Sequence, residues 1–192
     1  MTKNNKHQYK DINSELIGRC RIGDRKAQFE IYKLYYKAMY NTCLRIVNNS
    51  QEAEDIMQES FLKAFRNLDQ FKGEVSFGAW LKKIVVNKSL DQIRKRKMLF
   101  DKIEDLDNEP AAGIHEDQSE IPVFSVAEIR EEIENLPEGF RIVLSLYLLE
   151  GYDHEEISQI LKITASTSRS QYARARKKLI ENLKKKKNEQ TG

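Results

Sequence analysis

The residues with the clearest chemical potential are cations, and they fall in two stripes. From Leu81 to Lys97, the seven residues Lys82, Lys83, Lys88, Arg94, Lys95, Arg96 and Lys97 are opposed only by Asp91, a net of +6. From Lys162 to Lys187, ten basic residues are opposed only by Glu181, a net of +9. Between them, Met98 to Ser125 holds eight acidic residues against Lys102, a net of −7, so the whole-chain charge of +3 conceals a strong segregation of sign. Lys and Arg that neutralise phosphates release condensed counterions, which makes each stripe a candidate nucleic-acid footprint. A single stripe reads more readily as a solvated helix face. Recurrence on two separate segments favours the polyanion.

Other chemistries find little support. No nucleophile, general base and orienting partner can be assembled, and there is no Gly-rich phosphate loop, so an enzyme is not expected. Glu155 and Glu156 read as charges at a helix start. His7, His115 and His154 are scattered without partners at ligand spacing, so neither a metal nor any other cofactor is expected. Cys20 and Cys43 are too few for a disulfide framework and read as reduced, half-buried thiols. No apolar run reaches the ~18 residues of a membrane span, and the polar start MTKNNKHQYK lacks a signal-peptide core. Those features lead to the expectation of a cytoplasmic chain without membrane insertion.

The elements that position the stripes read as helices. Charged residues make up 33% of the chain, with only eight Gly and three Pro, a balance that suits an all-α fold. Residues 11–97 form one expected domain. Its first helix follows the candidate cap Asp24 and carries Phe29, Tyr32, Leu34, Tyr35, Tyr36, Met39, Tyr40, Cys43, Leu44 and Val47. Asn48 and Asn49 break the pattern, and Ser50 is placed to cap a helix with Glu52, Glu54 and Asp55 near its positive end. Ala53, Ile56, Met57, Phe61, Ala64, Phe65 and Leu68 form its apolar stripe. Asp55, Gln58, Glu59, Leu62, Lys63 and Arg66 lie nearer the surface. After a loop at Phe71-Lys72-Gly73, Ser76 caps a third helix with Phe77, Trp80, Leu81, Ile84, Val85, Leu90 and Ile93 inward, ending near Lys97. Trp80 is assigned to the core rather than to base stacking.

Periodicity fades over 98–124, where acids, prolines and Gly113 accumulate, so this segment is expected to be a flexible acidic linker. Residues 125–187 form the second expected domain. Ser125 and Glu128 have capping-box spacing, and Pro137 suits the first turn of a helix carrying Phe140, Val143, Leu144, Tyr147 and Leu148, with Gly151 as its stop. Asp153 and Glu156 repeat the capping pattern before Ile157, Ile160 and Leu161. A tight turn then leads to Thr164, the cap of a long helix buried through Tyr172, Ala175, Leu179 and Leu183. This is helix-turn-helix spacing. Ser166, Thr167, Ser170, Ala173, Arg174 and Lys177 project mostly away from the apolar stripe, with Arg169 at its edge, where such a helix meets bases and phosphates.

Together these segments resemble the extracytoplasmic-function (ECF) sigma factors, the small class of bacterial RNA polymerase sigma subunits. QEAEDIMQESFLKAF at 51–65 resembles their region 2.2. Phe71-Lys72-Gly73, FGAWLKKIVVN at 77–87 and Arg94-Lys95-Arg96 are similar to regions 2.3 and 2.4. LKITASTSRSQYARARKKL at 161–179 is similar to region 4.2, with Lys162 and Ser166 standing where Gly is usual and Gln171 where Arg is frequent. The resemblance implies two small helical domains, a region 2 bundle and a four-helix region 4 domain, joined by the linker.

It also implies roles. Asp55, Gln58, Glu59 and Leu62 would dock on the β′ coiled coil of core RNA polymerase, and the second domain would meet the β flap. Lys63, Phe71, Lys72, Lys83, Asn87, Lys88 and Arg94 would meet the minus-ten element, with Phe71, Lys72 and Asn87 capturing a flipped base. Ser166, Thr167, Arg169, Ser170, Ala173, Arg174 and Lys177 would read the minus-thirty-five element. The linker would thread toward the polymerase active-site channel. An anti-sigma factor is a further partner the resemblance allows, and the free chain is expected to be a monomer. The rival reading is a regulator that binds an operator through the helix-turn-helix alone and uses its first domain to dimerise or sense.

Overall fold

The computed structural model describes residues 13–100 and 124–191, the side chains of 97–100 and 190–191 excepted. The chain divides into two compact units between Asp101 and Lys102. The acidic linker expected over 98–124 lies outside the described residues, apart from the last turn of a helix at 98–100 and residue 124.

The first unit contains α1 (Ser14–Arg21), α2 (Arg25–Val47), α3 (Ser50–Arg66), a 3₁₀ turn (Leu68–Gln70) and α4 (Phe77–Phe100). Helices α2, α3 and α4 pack pairwise, and α1 lies on α2. The sequence reading did not separate α1, because eight residues with only Ile17 and Cys20 buried give too short a periodic signal. Polar contacts hold it instead: Asn13 Nδ2 donates to the Tyr35 hydroxyl at 3.1 Å, and Arg21 Nη2 to the Phe71 carbonyl at 2.6 Å.

Asp24 caps α2 as expected, accepting from the amides of Lys26 and Ala27 at 2.9 and 3.2 Å. The guanidinium of Arg19, hydrogen-bonded to the same carboxylate, holds Asp24 below the ordinary carboxylate range. Burial along α2 runs through Ala27, Ile31, Met39, Cys43, Ile46 and Val47. Phe29 and Leu34, read from sequence as part of the apolar stripe, are exposed instead. So many apolar and aromatic residues leave the phase ambiguous, and packing against the neighbouring helices selects one of the available faces.

Asn49, not Ser50, caps α3: its side chain accepts from the Glu52 amide at 2.9 Å, and Ser50 is the first helical residue. Arg96, near the end of α4, joins two helix ends. It donates to the Val47 carbonyl of α2 at 3.3 Å and pairs with Glu52 in the first turn of α3 at 3.3 Å. Arg96 thus sits at the negative end of the α2 dipole, and Glu52 is an anion at the positive end of α3. Ser76 starts α4 as expected, accepting from the Ala79 amide at 3.2 Å. Phe77, Leu81, Val85, Leu90 and Ile93 are buried, and Val86 joins them. Trp80 is half-buried against Phe71 and Phe77, with ring centroids 5.5 and 5.6 Å away.

The second unit contains α5 (Val126–Glu134), α6 (Glu138–Leu144) continuing as a π turn (Ser145–Leu149), α7 (His154–Leu161) and α8 (Ala165–Thr191). The Ser125–Glu128 capping box is formed. Helix α8 packs against α5, α6 and α7, with Ile133, Leu136, Leu144, Ala175, Leu179 and Leu183 in the core. Tyr147 and Leu148 were expected inward, yet they and Leu149 are exposed. The π turn causes this difference. Glu150 N reaches the Ser145 carbonyl five residues back at 3.0 Å, which widens the helix and slips the phase after Leu146. Gly151 then leaves the helix at φ +78°, the left-handed region that favours glycine.

In the helix-turn-helix, Asp153 and Glu156 form the second capping box, and Thr164 Oγ1 accepts from the Thr167 amide at 3.0 Å. Lys162 ends α7 at φ +59°. A polar clamp fixes the angle between the two helices: His154 Nδ1 lies 2.9 Å from the Oγ of fully buried Ser168. The imidazole also stacks on Tyr147 at 4.5 Å, with Tyr172 4.6 Å from the Tyr147 ring.

Lys162→Gly is expected to stabilise the second unit by about 1 kcal/mol, since a side chain in the left-handed region carries a steric cost of that order. Ser168→Ala is expected to destabilise it by about 1 kcal/mol, because the half-buried imidazole nitrogen loses its partner. Native-state amide exchange of α7 and α8 should slow in the first variant and quicken in the second.

Candidate nucleic-acid and polymerase interfaces

Burial of one helix face turns the opposite one outward, and the candidate residues follow from that. On α3, Ala53, Ile56, Met57, Ser60, Phe61 and Ala64 are buried, while Asp55, Gln58, Glu59 and Leu62 are exposed. The result is an acidic and polar face containing one apolar side chain, Leu62, which is 54% exposed. Gln58 is steadied by a 3.2 Å hydrogen bond to Glu54.

On α4, Lys83, Asn87 and Arg94 are exposed and spaced four and seven residues apart, so they share one face. Lys63 and Lys72 are also exposed. Arg94 pairs with Asp91 on the same helix at 2.9 Å. Lys88 departs from this row: it is half-buried, and its ammonium is bonded to Glu59 of α3, 29 positions away. That bond holds the Glu59 carboxyl below its ordinary range. The ion pair therefore links the polar face of α3 to the basic helix, a relation that nothing in the sequence signals.

Phe71 differs from the base-capturing role that the resemblance implies for it beside Lys72 and Asn87: it is 5% exposed and packs edge-on against Phe77 at 5.6 Å. A buried ring offers no face for stacking. Phe71 anchors the loop, and Arg21 bonds its carbonyl from α1.

On α8, Ser166, Thr167, Arg169 and Lys177 are exposed, while Ser170, Ala173 and Arg174 are half-buried. Positions 166, 170, 173 and 177 form one row, with 167 and 174 beside it, opposite the buried Ala175, Leu179 and Leu183. Arg169 faces Glu155 of α7 at 3.7 Å. Ser168, buried within this stretch, is the residue the sequence reading missed. It is legible only as the single position of 166–170 whose helical phase matches Ala175. Tyr152, behind the turn, has its hydroxyl pushed up to about 12 by burial, with Glu150 and Glu156 adding to the effect.

Among the described residues no helix is long and apolar enough to cross a membrane. The arrangement suits binding of a polyanion on two separate basic faces, with a third, acidic face on α3 suited to a protein.

The chain is similar to known proteins along most of its length. Residues 31–98 match Sigma-70 region 2, and residues 127–179 match Sigma-70, region 4. The chain is 30% identical over 181 residues to the ECF RNA polymerase sigma factor SigW of Bacillus subtilis, covering 88% of this chain and 95% of that protein. It is 31% identical over 170 residues to the ECF RNA polymerase sigma-E factor of Escherichia coli K12, covering 84% and 88%. Among solved structures it is similar to the sigma factor RpoE of Bartonella quintana, determined in complex with the anti-sigma factor NepR. The TM-score there is 0.56 at 25% identity, covering 81% of this chain and 95% of that one. With both sigma regions matched and relatives aligned along most of their length, the chain belongs to the ECF sigma factors, non-enzymatic subunits that direct RNA polymerase to promoters.

Proposed function

We propose that the two units divide promoter recognition between them. Helix α8 enters the major groove of the minus-thirty-five element, with Ser166, Thr167, Arg169, Ser170 and Ala173 near base edges and Arg174 and Lys177 on phosphates. Lys63, Lys72, Lys83, Asn87, Lys88 and Arg94 hold the minus-ten element, and Asn87 and Lys72 serve the extruded base without Phe71 as a stacking ring. Asp55, Gln58, Glu59 and Leu62 dock on the β′ coiled coil, while the second unit meets the β flap. Melting of the minus-ten element follows once polymerase holds both units on the DNA. The chain would act in the cytoplasm, where polymerase works. Because the Bartonella relative was solved with an anti-sigma factor, a protein inhibitor is proposed for this chain as well.

The observation that carries this reading is the presence of two exposed faces of different chemistry on the first unit. Asp55, Gln58 and Leu62 are exposed on α3, and Lys83, Asn87 and Arg94 on α4, so a protein partner and DNA each have a surface of suitable chemistry, the two adjoining at the Glu59–Lys88 ion pair. The operator-binding alternative gives the α3 face no task.

Arg174→Glu is expected to weaken promoter binding by the holoenzyme and to reduce the dependence of log affinity on log salt by about 1, while capture of core polymerase persists. Asp55→Arg should do the converse. Filter binding across a salt series and co-purification with core enzyme check the pair. Normal polymerase capture by Asp55→Arg would show that the docking face lies elsewhere.

A further inference from the structure

Helices α3 and α4 leave an open pocket of about 430 Å³ lined by Glu59, Leu62, Lys63, Arg66, Asn67 and Lys88. Three of these side chains are cations and one is an anion, so the lining is positive. Lys63 and Arg66 come from the last turn of α3, and Lys88 from the middle of α4. Basic residues at a helix end often serve its unsatisfied carbonyls. Here Asn67 already does so. Its Nδ2 donates to the Lys63 carbonyl at 2.8 Å, and its amide reaches the carbonyls of Lys63 and Ala64 at 3.1 and 3.2 Å.

Glu59 is 65% exposed while the Lys88 it holds is 24% exposed. An ammonium anchored at the pocket wall and neutralised by a solvent-facing carboxylate is a place where one anion can replace another. A phosphodiester carries the same single charge. In place of Glu59 it would keep Lys88 compensated and would gain Lys63 and Arg66 as further donors. The bidentate fork of Arg66 suits phosphate geometry.

We propose that this pocket seats a backbone phosphate of the promoter strand, with Arg66 as an additional contact and Glu59 as an internal competitor that occupies Lys88 in the free chain. The proposal rests on the assignment of Asp55, Gln58, Glu59 and Leu62 to polymerase and of Lys63 and Lys88 to DNA. Because Glu59 also belongs to the docking face, a partner that draws its carboxylate away releases Lys88 for the strand. Docking and strand binding then favour each other, and such coupling is reciprocal.

The test uses the purified full-length chain and a fluorescein-labelled single-stranded oligonucleotide, with anisotropy followed across a salt series. Glu59→Gln should raise affinity roughly two- to fivefold, the worth of an exposed ion pair, and should steepen the salt dependence by about 0.7, one single-strand phosphate contact. Arg66→Gln should lower affinity by a similar factor and flatten the salt dependence by the same amount. Adding Lys88→Gln to Glu59→Gln should abolish the gain. Unchanged affinity in either Glu59→Gln or Arg66→Gln overturns the pocket, even where Arg174→Glu and Asp55→Arg behave as the parent assignment requires. Wild-type chain with no salt-dependent binding overturns the pocket and the strand assignment together.

Discussion

A helix can bury only one face, and the functional surfaces of this chain follow from which face α4 and α8 commit to their cores. Phe77, Leu81, Val85, Leu90 and Ile93 draw one side of α4 against α2 and α3. Their phase leaves Lys83, Asn87 and Arg94 in water. Ala175, Leu179 and Leu183 do the same for α8. Burying each large aliphatic side chain contributes roughly 1.5–3 kcal/mol, more than any surface charge costs to display, so the apolar stripe sets the orientation and the cations follow.

Around that constraint, polar contacts fix how the helices meet. Arg96 ties the end of α2 to the start of α3, and Arg21 ties α1 to the loop that precedes α4. In the second unit His154 and fully buried Ser168 clamp α7 to α8 through a part-buried hydrogen bond, beside the Arg169–Glu155 pair across the same helices. A polar pair with one member buried costs more to break than it contributes when made, which gives it geometric specificity. The consequence for function is that the exposed rows on α8 are presented at an angle set by a residue that does not itself face outward.

Not every basic residue in the stripes has the same standing. Arg96 is engaged in holding helix ends, Arg94 with its neighbour Asp91, Lys88 with Glu59, and Arg169 with Glu155. Net charge over a segment therefore overstates the number of cations ready to meet phosphate. The electrostatic attraction of the whole face acts at distances up to the Debye length of about 10 Å at 0.1 M salt, whereas a contact requires a particular head group to exchange partners. Glu59 is the place where that exchange joins two binding surfaces.

The sequence by itself determined the helical class, the two basic stripes, the caps at Asp24, Ser76, Ser125, Asp153 and Thr164, and the outward row of α8. Each of these depends on residues within a few positions of one another, so local spacing carries the information. Tertiary structure alone decided what depends on distant partners. It chose the buried face of α2 over Phe29 and Leu34, placed Phe71 inside an aromatic cluster, and joined Glu59 to Lys88. The π turn at Ser145–Leu149 is local in geometry yet invisible to a regular 3.6-residue count, and it leaves Tyr147 and Leu148 exposed. Periodicity reports which residues share a face, and only packing selects the face that is buried.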